Sequence, residues 1–460
     1  MSNEDKIVVL QDKRNKINNV SCSFCTAKWL QTTLMLQNGY NHSCHHPAPH
    51  KIPLEEIEAD PAALHNSKFK KAQRAKMLAG ERPSECNYCW KIEDLNKDYF
   101  SDRHYKTSDT WAWDRFEEIA KSDPQDNVYP SYLEVSFSNA CNFACAYCSP
   151  EISSKWMEDI KQNGPYPTTH GAHNLDYLKE TGKMPIPNRE HNPYVEAFWK
   201  WFPDALPHLK VLRITGGEPT MSKDTWKLLD YLIVNPPKGL DIAINTNGCV
   251  EEKLISKLIN KVNALADVGV KVDIYTSLES TGKQAEYARD GLNYYDWIEN
   301  IERILKETKS TVAIMTTVNV LSLTTFVDFI MTVMDLRRVH NTSFEWNRVP
   351  LSINIMHWPP HLQCTLLDKE DRIRIADTIE NVCKSWLKYV SPEKFARIYL
   401  EEFDQIQRLC DYLRTSEPAI EHRQDFVRYI LAYDKRRNKN FAEIFPQYTK
   451  LLEEWDAKTD

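Results

Sequence analysis

The chain has 460 residues, enough for one large barrel domain with appendages or for two to three domains. Its 58 Lys and Arg against 65 Asp and Glu give a net charge of -7, which excludes an overall basic field drawing it to nucleic acid or anionic membrane. With no run of 18 apolar residues, and a start (Met1-Ser2-Asn3-Glu4-Asp5-Lys6) that lacks the basic-then-apolar shape of a secretion signal, it is expected to be soluble and cytoplasmic. Of twelve cysteines, eight fall in clustered spacings that read as reduced metal ligands rather than disulfides.

Residues 1–130 hold Cys22, Cys25, Cys44, Cys86 and Cys89. Cys25 is followed by thirteen residues, Gly39, four more residues and Cys44, and later by Cys86-Asn87-Tyr88-Cys89. Gly39 permits a tight turn that brings Cys44 back toward Cys25. One reading of the set is a four-cysteine zinc ribbon using Cys22, Cys25, Cys86 and Cys89, which leaves Cys44 out. His42, His45, His46 and His50 flank Cys44 in a polar, Pro-punctuated stretch and are expected at the surface or beside a metal site rather than on it. The basic segment 66–78 (Lys68, Lys70, Lys71, Arg74, Lys76) is expected to be a solvated helical face.

From 131 to 356 short apolar, β-branched runs alternate with amphipathic helical patterns. Strands are predicted at 132–137, 210–215, 241–246, 271–277, 311–319 and 344–356, with helices such as 224–233, 251–265 and 295–306 between them. Six such repeats predict an α/β fold, a partial (βα)6 barrel of parallel strands, with chemistry on the loops at their carboxyl ends. Residues 162–192, rich in Gly, Pro, His and Asn, interrupt the pattern as a substrate lid or an outer loop. Residues 357–460 read as three or four helices, with Cys364, Cys383 and Cys410 simply buried, as is Cys249 after the third strand.

Directly after the first strand comes Cys141-Asn142-Phe143-Ala144-Cys145-Ala146-Tyr147-Cys148. Three thiolates at this spacing can hold one soft metal centre and leave a coordination position open. Structural zinc asks for a fourth protein ligand, and no further cysteine comes until Cys249. Thr215-Gly216-Gly217-Glu218-Pro219 follows the second strand.

These two motifs, in this order and on these elements, resemble the radical S-adenosylmethionine (SAM) superfamily. The resemblance implies a [4Fe-4S] cluster on Cys141, Cys145 and Cys148, with SAM on its fourth iron. It implies reductive cleavage of SAM to methionine and a 5′-deoxyadenosyl radical that takes hydrogen from a substrate. It further implies SAM contacts from Gly216, Gly217, Glu218 and Pro219, from the Tyr147 backbone at adenine, from Ser277 and Glu279 at ribose, and from Asn319. Gly216 and Gly217 are read as letting backbone approach the methionine, Glu218 as an acceptor for its ammonium, and Pro219 as fixing the turn. Asn245 and Asn247 are either further contacts or turn residues.

The N-terminal pattern resembles the twitch/SPASM auxiliary-cluster module of the same superfamily, which would put Cys25, Cys44, Cys86 and Cys89 on an auxiliary [4Fe-4S] cluster. Here the pattern precedes the barrel instead of following it, and supplies four ligands, as in the shorter twitch form. The implied function is oxidation or crosslinking of a peptide or protein, with a reductant such as flavodoxin or ferredoxin, in a host cytoplasm if the protein is phage-encoded. Alternatives are radical chemistry on a small sugar or nucleoside and, in another class, a zinc-stabilised binding module.

Overall fold

The computed structural model describes residues 3–96, 98–388 and 395–457. Its strands are β1 (Gln31–Met35), β2 (Tyr40–His42), β3 (His50–Lys51), β4 (Tyr132–Ser136), β5 (Ala144–Cys145), β6 (Val211–Thr215), β7 (Asp241–Thr246), β8 (Lys271–Ser277), β9 (Arg289–Asp290), β10 (Val312–Val318) and β11 (Leu351–Ile355). The main sheet runs β11-β10-β8-β7-β6-β4-β1-β2-β3, parallel from β11 through β1. Helices such as Lys223–Val234, Glu252–Asp267 and Tyr294–Glu307 return the chain between neighbouring strands. The six expected strands are present, the last shortened from 344–356 to five residues.

Side-chain alternation divides the strands into two faces. Leu133, Val135, Leu212, Ile214, Ile242, Ile244, Ile274 and Ile314 are buried in the main apolar core, the face the helices cover. The opposite face is polar and concave. Arg213 on β6 approaches Met315 on β10 (Nη2 to Sδ 3.6 Å) and lies 4.6 Å from the ring centre of Tyr275 on β8. In a flat sheet β6 and β10 would stand three strand spacings apart, about 14 Å, so the contact requires a curled wall. The sheet is thus a partial barrel.

A seventh parallel strand, β1, was not expected. It pairs with β4 from Gln31↔Tyr132 to Met35↔Ser136, so the sheet crosses the domain boundary placed at residue 130. Its sequence Gln-Thr-Thr-Leu-Met has little apolar alternation, and it becomes a strand because β4 offers a free edge. The chain then reverses at Gly39 (φ +69°), where a Cβ would fall 2.0 Å from the Tyr194 ring, and β2 runs back toward Cys44. A second apolar core, including Phe24, Trp29, Trp90, Trp111 and Phe116, packs against Tyr132 and Val211 at the amino ends of β4 and β6.

The segment 162–192 is neither lid nor free loop but a strap. Ile186 N donates to Gln37 O (2.7 Å), Asn188 Nδ2 to Asn139 Oδ1 (3.2 Å) and Thr169 N to Asp425 Oδ2 (2.9 Å). The C-terminal region is helical as expected, with helices at Lys369–Lys388, Leu400–Thr415, Arg423–Arg437 and Thr449–Asp456. Cys364, Cys383 and Cys410 are buried, as expected.

The solvated-face expectation for 66–78 holds for Lys68 and Lys76, which are exposed, and is corrected for Lys70 and Arg74. In the helix Lys68–Leu78, Lys70 and Arg74 are fully buried. Arg74 donates to Asn66 Oδ1 (2.9 Å) and Lys28 O (3.2 Å), and Lys70 Nζ to Gln31 O (3.0 Å), satisfying carbonyls that β1 and the preceding turn leave unpaired. Arg74→Ala should cost roughly 2–4 kcal/mol in chemical denaturation, from lost packing and orphaned acceptors, whereas exposed Lys76→Ala should stay within about 0.5 kcal/mol.

Burial, then the neighbouring Lys70, holds His65 well below its ordinary pKa and lowers His50 to about 3. Between pH 6.5 and about 3 the unfolded chain therefore binds protons that the folded chain refuses. This stability is complete above pH 6.5 and is lost on acidification. Tm should fall through that window, and His50→Gln should flatten the slope of Tm against pH.

Candidate active site and auxiliary cysteine site

The loop after β4 is held by elements far away in sequence. β5 pairs antiparallel with β9, Cys145 opposite Arg289. Trp156 Nε1 donates to Cys145 O (2.9 Å), Tyr429 Oη to Ala146 O (2.8 Å), and His173 Nε2 to Cys148 O (2.9 Å). Asn142 bridges to the end of β7, donating to Cys249 O (2.8 Å) and accepting from Asn247 Nδ2 (2.7 Å). Three carbonyls of the loop, those of Cys145, Ala146 and Cys148, are thereby anchored by three side chains.

The three thiols lie close enough to raise one another's pKa. Burial first, then mutual repulsion, pushes Cys141 up to about 12 and Cys148 well above its ordinary value. Cys145 rises to about 11 through burial, opposed by Arg289. Burial that raises a thiol in this way disfavours its use as a free nucleophile.

Arg289, which the sequence reading missed, pairs with Glu279 beneath this loop. Its Nη2 is 2.7 Å from Glu279 Oε2 and its Nε 3.1 Å from Oε1, and both side chains are at most 5% exposed. Tyr147 Oη donates to Glu279 Oε1 (3.0 Å), and Arg289 lies 5.5 Å from the Tyr147 ring centre. The only sequence signal was that a carboxylate expected inside the barrel needs a cation. Glu279, which the resemblance placed at ribose, thus pairs with Arg289 and Tyr147, and the Tyr147 phenol has a partner rather than only packing.

Gly216 and Gly217 serve the cluster loop. At Gly216 (φ +132°) a Cβ would lie 2.9 Å from Ser136 Oγ and Ser138 O, and at Gly217 2.4 Å from Ala140 O. Glu218 is buried, its Oε1 accepting from Thr220 N (3.1 Å), Thr220 Oγ1 (2.7 Å) and Thr246 Oγ1 (3.0 Å), and its Oε2 from Asn247 N (2.7 Å). One lone pair of Oε2 remains. Pro219 opens the short helical turn Pro219–Met221. Ser277 ends β8 on the Tyr275 face, half-buried. Asn319 is fully buried, donating to Thr317 O (2.8 Å) and accepting from Leu321 N (2.9 Å), so its amide shapes the turn after β10.

At the second site, Cys25, Cys44, Cys86 and Cys89 line one pocket with Lys28, Trp90 and Arg103. Burial is the main reason Cys25 and Cys89 rise to about 12 and Cys44 to about 11, with repulsion from the other thiols adding to each. Cys22 is outside this pocket, exposed, its Sγ 3.3 Å from Gly80 O. The four thiols that share this pocket are Cys25, Cys44, Cys86 and Cys89. Among the described residues no three His, Cys, Asp or Glu side chains gather tightly enough for a single ion; a multi-iron core is wider than an ion and takes its thiolates at wider spacing. His46 also lines the pocket, but its Nε2 is engaged by Asp102 Oδ2 (2.6 Å), while His50 turns to Ser67 (3.1 Å).

The radical SAM superfamily model matches residues 135–333, the span carrying both barrel motifs. Those residues form a radical SAM domain. The chain is 29% identical over 157 residues to a GTP 3′,8-cyclase of Aliarcobacter butzleri, covering 33% of this chain and 36% of that protein. It is 26% identical over 204 residues to the GTP 3′,8-cyclase of Yersinia pestis (43% and 51%), and 28% identical over 141 residues to the molybdenum cofactor biosynthesis protein moc-5 of Caenorhabditis elegans (30% and 18%). The chain thus spans about half or less of the length of these relatives. No helix among the described residues is long and apolar enough to cross a membrane.

The contact between Gly217 and the cluster loop gives a direct test. Gly217→Ala should displace Ala140 and with it Cys141, lowering iron bound at this site at least severalfold after anaerobic reconstitution while iron at the N-terminal site persists, as read by iron analysis and visible absorbance.

Proposed function

We propose that the chain is a radical SAM enzyme with two iron-sulfur sites, one on Cys141, Cys145 and Cys148 and an auxiliary one on Cys25, Cys44, Cys86 and Cys89. The observation that carries this reading is the sorting of seven cysteines into a rigid three-thiol loop at the barrel mouth and a four-thiol pocket built from three separate segments. Cys141, Cys145 and Cys148 would hold a [4Fe-4S] cluster, which when loaded and reduced would supply the one electron needed to split SAM into methionine and a 5′-deoxyadenosyl radical. The chain's own residues hold the loop: Trp156, Tyr429 and His173 fix its carbonyls, and Glu279 neutralises Arg289 beside Cys145. Gly216 and Gly217 let the β6 loop press against it.

Four closed thiolate ligands at the auxiliary site favour electron transfer over direct substrate ligation. A flavodoxin- or ferredoxin-type protein would deliver the reducing electron. The peptide or protein substrate expected by analogy draws no support from the relatives, whose names concern GTP and molybdenum cofactor. A lumen whose amino-terminal end packs on the N-terminal core suits a small polar molecule better than a polypeptide.

Anaerobically reconstituted protein should be brown, bind about eight irons and release 5′-deoxyadenosine when reduced with SAM. Cys145→Ala should abolish that release and halve the iron, Cys44→Ala should remove the other half, and Cys22→Ser should leave both intact. Colourless protein with stoichiometric zinc would instead make this a zinc-stabilised binding module.

A further inference from the structure

Between the apolar floor and the cluster loop, the barrel wall carries polar side chains that the cysteine sites do not use. In strand register Thr33 of β1 lies beside Glu134 of β4, and Glu134 beside Arg213 of β6, with Gln31 two residues before Thr33. All four belong to the face opposite Leu34, Leu133 and Leu212, which are buried in the main core, so they face the concave side. Gln31 is 0% exposed and Thr33 5%. Yet both amide atoms of Gln31, the Thr33 hydroxyl, Glu134 Oε2 and Arg213 Nε have no hydrogen-bond partner within the protein. Buried polar groups are nearly always paired, and five unpaired atoms on three adjacent strands of one wall mark a place that something polar completes.

We propose that Gln31, Thr33, Glu134 and Arg213 form a binding subsite for a small uncharged or zwitterionic molecule that presents a hydrogen-bond donor beside an acceptor oxygen, such as a carboxamide or an amino acid. The chemistry of the four groups sets this class. Ionised Glu134 only accepts and so takes an N–H or O–H, whereas Arg213 Nε only donates and so takes an oxygen. The Gln31 amide offers one of each, and the Thr33 hydroxyl adapts to either. Glu134 and Arg213 cancel in charge, so this wall lacks the cationic excess that a polyphosphate would need. The inference rests on the radical SAM reading for what happens to the ligand, and on the strand wall alone for where it binds. It also assigns the N-terminal segment a direct part in recognition, since β1 supplies two of the four groups.

The test uses full-length protein reconstituted anaerobically, with the near-isosteric variants Thr33→Val and Gln31→Met. Because neither side chain has a protein partner to lose, Tm without ligand should stay level or rise. Millimolar L-glutamine, L-asparagine or acetamide should raise the Tm of the unsubstituted protein, with at least one binding tenfold or more weaker in both variants, while GTP at the same concentration should leave Tm unchanged. A drop of several degrees in both ligand-free variants would reveal hidden internal partners and overturn the subsite. So would the absence of any shift from the three probes, or a shift from GTP alone. Reading 5′-deoxyadenosine from the same samples separates the two ideas: SAM cleavage without a probe shift sinks only the subsite, and a probe shift without SAM cleavage sinks only the radical SAM reading.

Discussion

The buried pair of Arg289 and Glu279 is the constraint on which the site geometry depends. Two opposite charges taken almost wholly out of water hold together only with good geometry and with their remaining hydrogen-bonding capacity used. Here the guanidinium makes a two-pronged contact, and the Tyr147 phenol takes a further carboxylate lone pair. The pair joins β9 to the end of β8, and β9 is the strand against which Cys145 is laid. Removing either partner would strand a charge under the cysteine loop, so the loop's shape is tied to the closure of the barrel at β8.

Around that pair the chain converges from every region. The strap after the first barrel helix contributes His173, stacked 4.1 Å from Trp156 and bonded to Cys148 O. The C-terminal helix Arg423–Arg437 contributes Tyr429, and its Tyr433 anchors to Tyr287 O (3.0 Å). The helix Arg423–Arg437 therefore backs the cysteine loop, which gives a physical reason for this part of a C-terminal region that carries no motif.

The N-terminal region is continuous with the barrel in the same sense. Its strand β1 extends the parallel sheet, its hairpin returns Cys44 to the neighbourhood of Cys25, and its apolar core stops the lumen at Tyr132 and Val211. Lys70 and Arg74, both fully buried, tie the helix Lys68–Leu78 to the backbone of this junction. Auxiliary site, lumen wall and barrel edge thus form one structural unit, and a ligand in the lumen would touch residues from both halves of the chain.

The sequence alone determined the six barrel strands after residue 130 and the three-thiol spacing of the loop, because both are written locally, whereas it left two four-cysteine sets open at the N-terminus. The bounds of β7 and β8 follow from alternation over six or seven residues, and the position of the three-thiol loop follows from C-x3-C-x2-C after a strand. The turn at Gly39 was legible because only a residue without Cβ fits there. What pairs with what was decided by tertiary structure. Gln31-Thr32-Thr33 is a strand only because β4 has an open edge, and Lys70 and Arg74 are interior only because unpaired carbonyls await them. Glu279 and Asn319 also take partners, a cation and a turn, that no local pattern announces. Spacing along the chain fixes which groups can share a metal, whereas burial and charge pairing arise between distant segments and exist only once the sheet has closed.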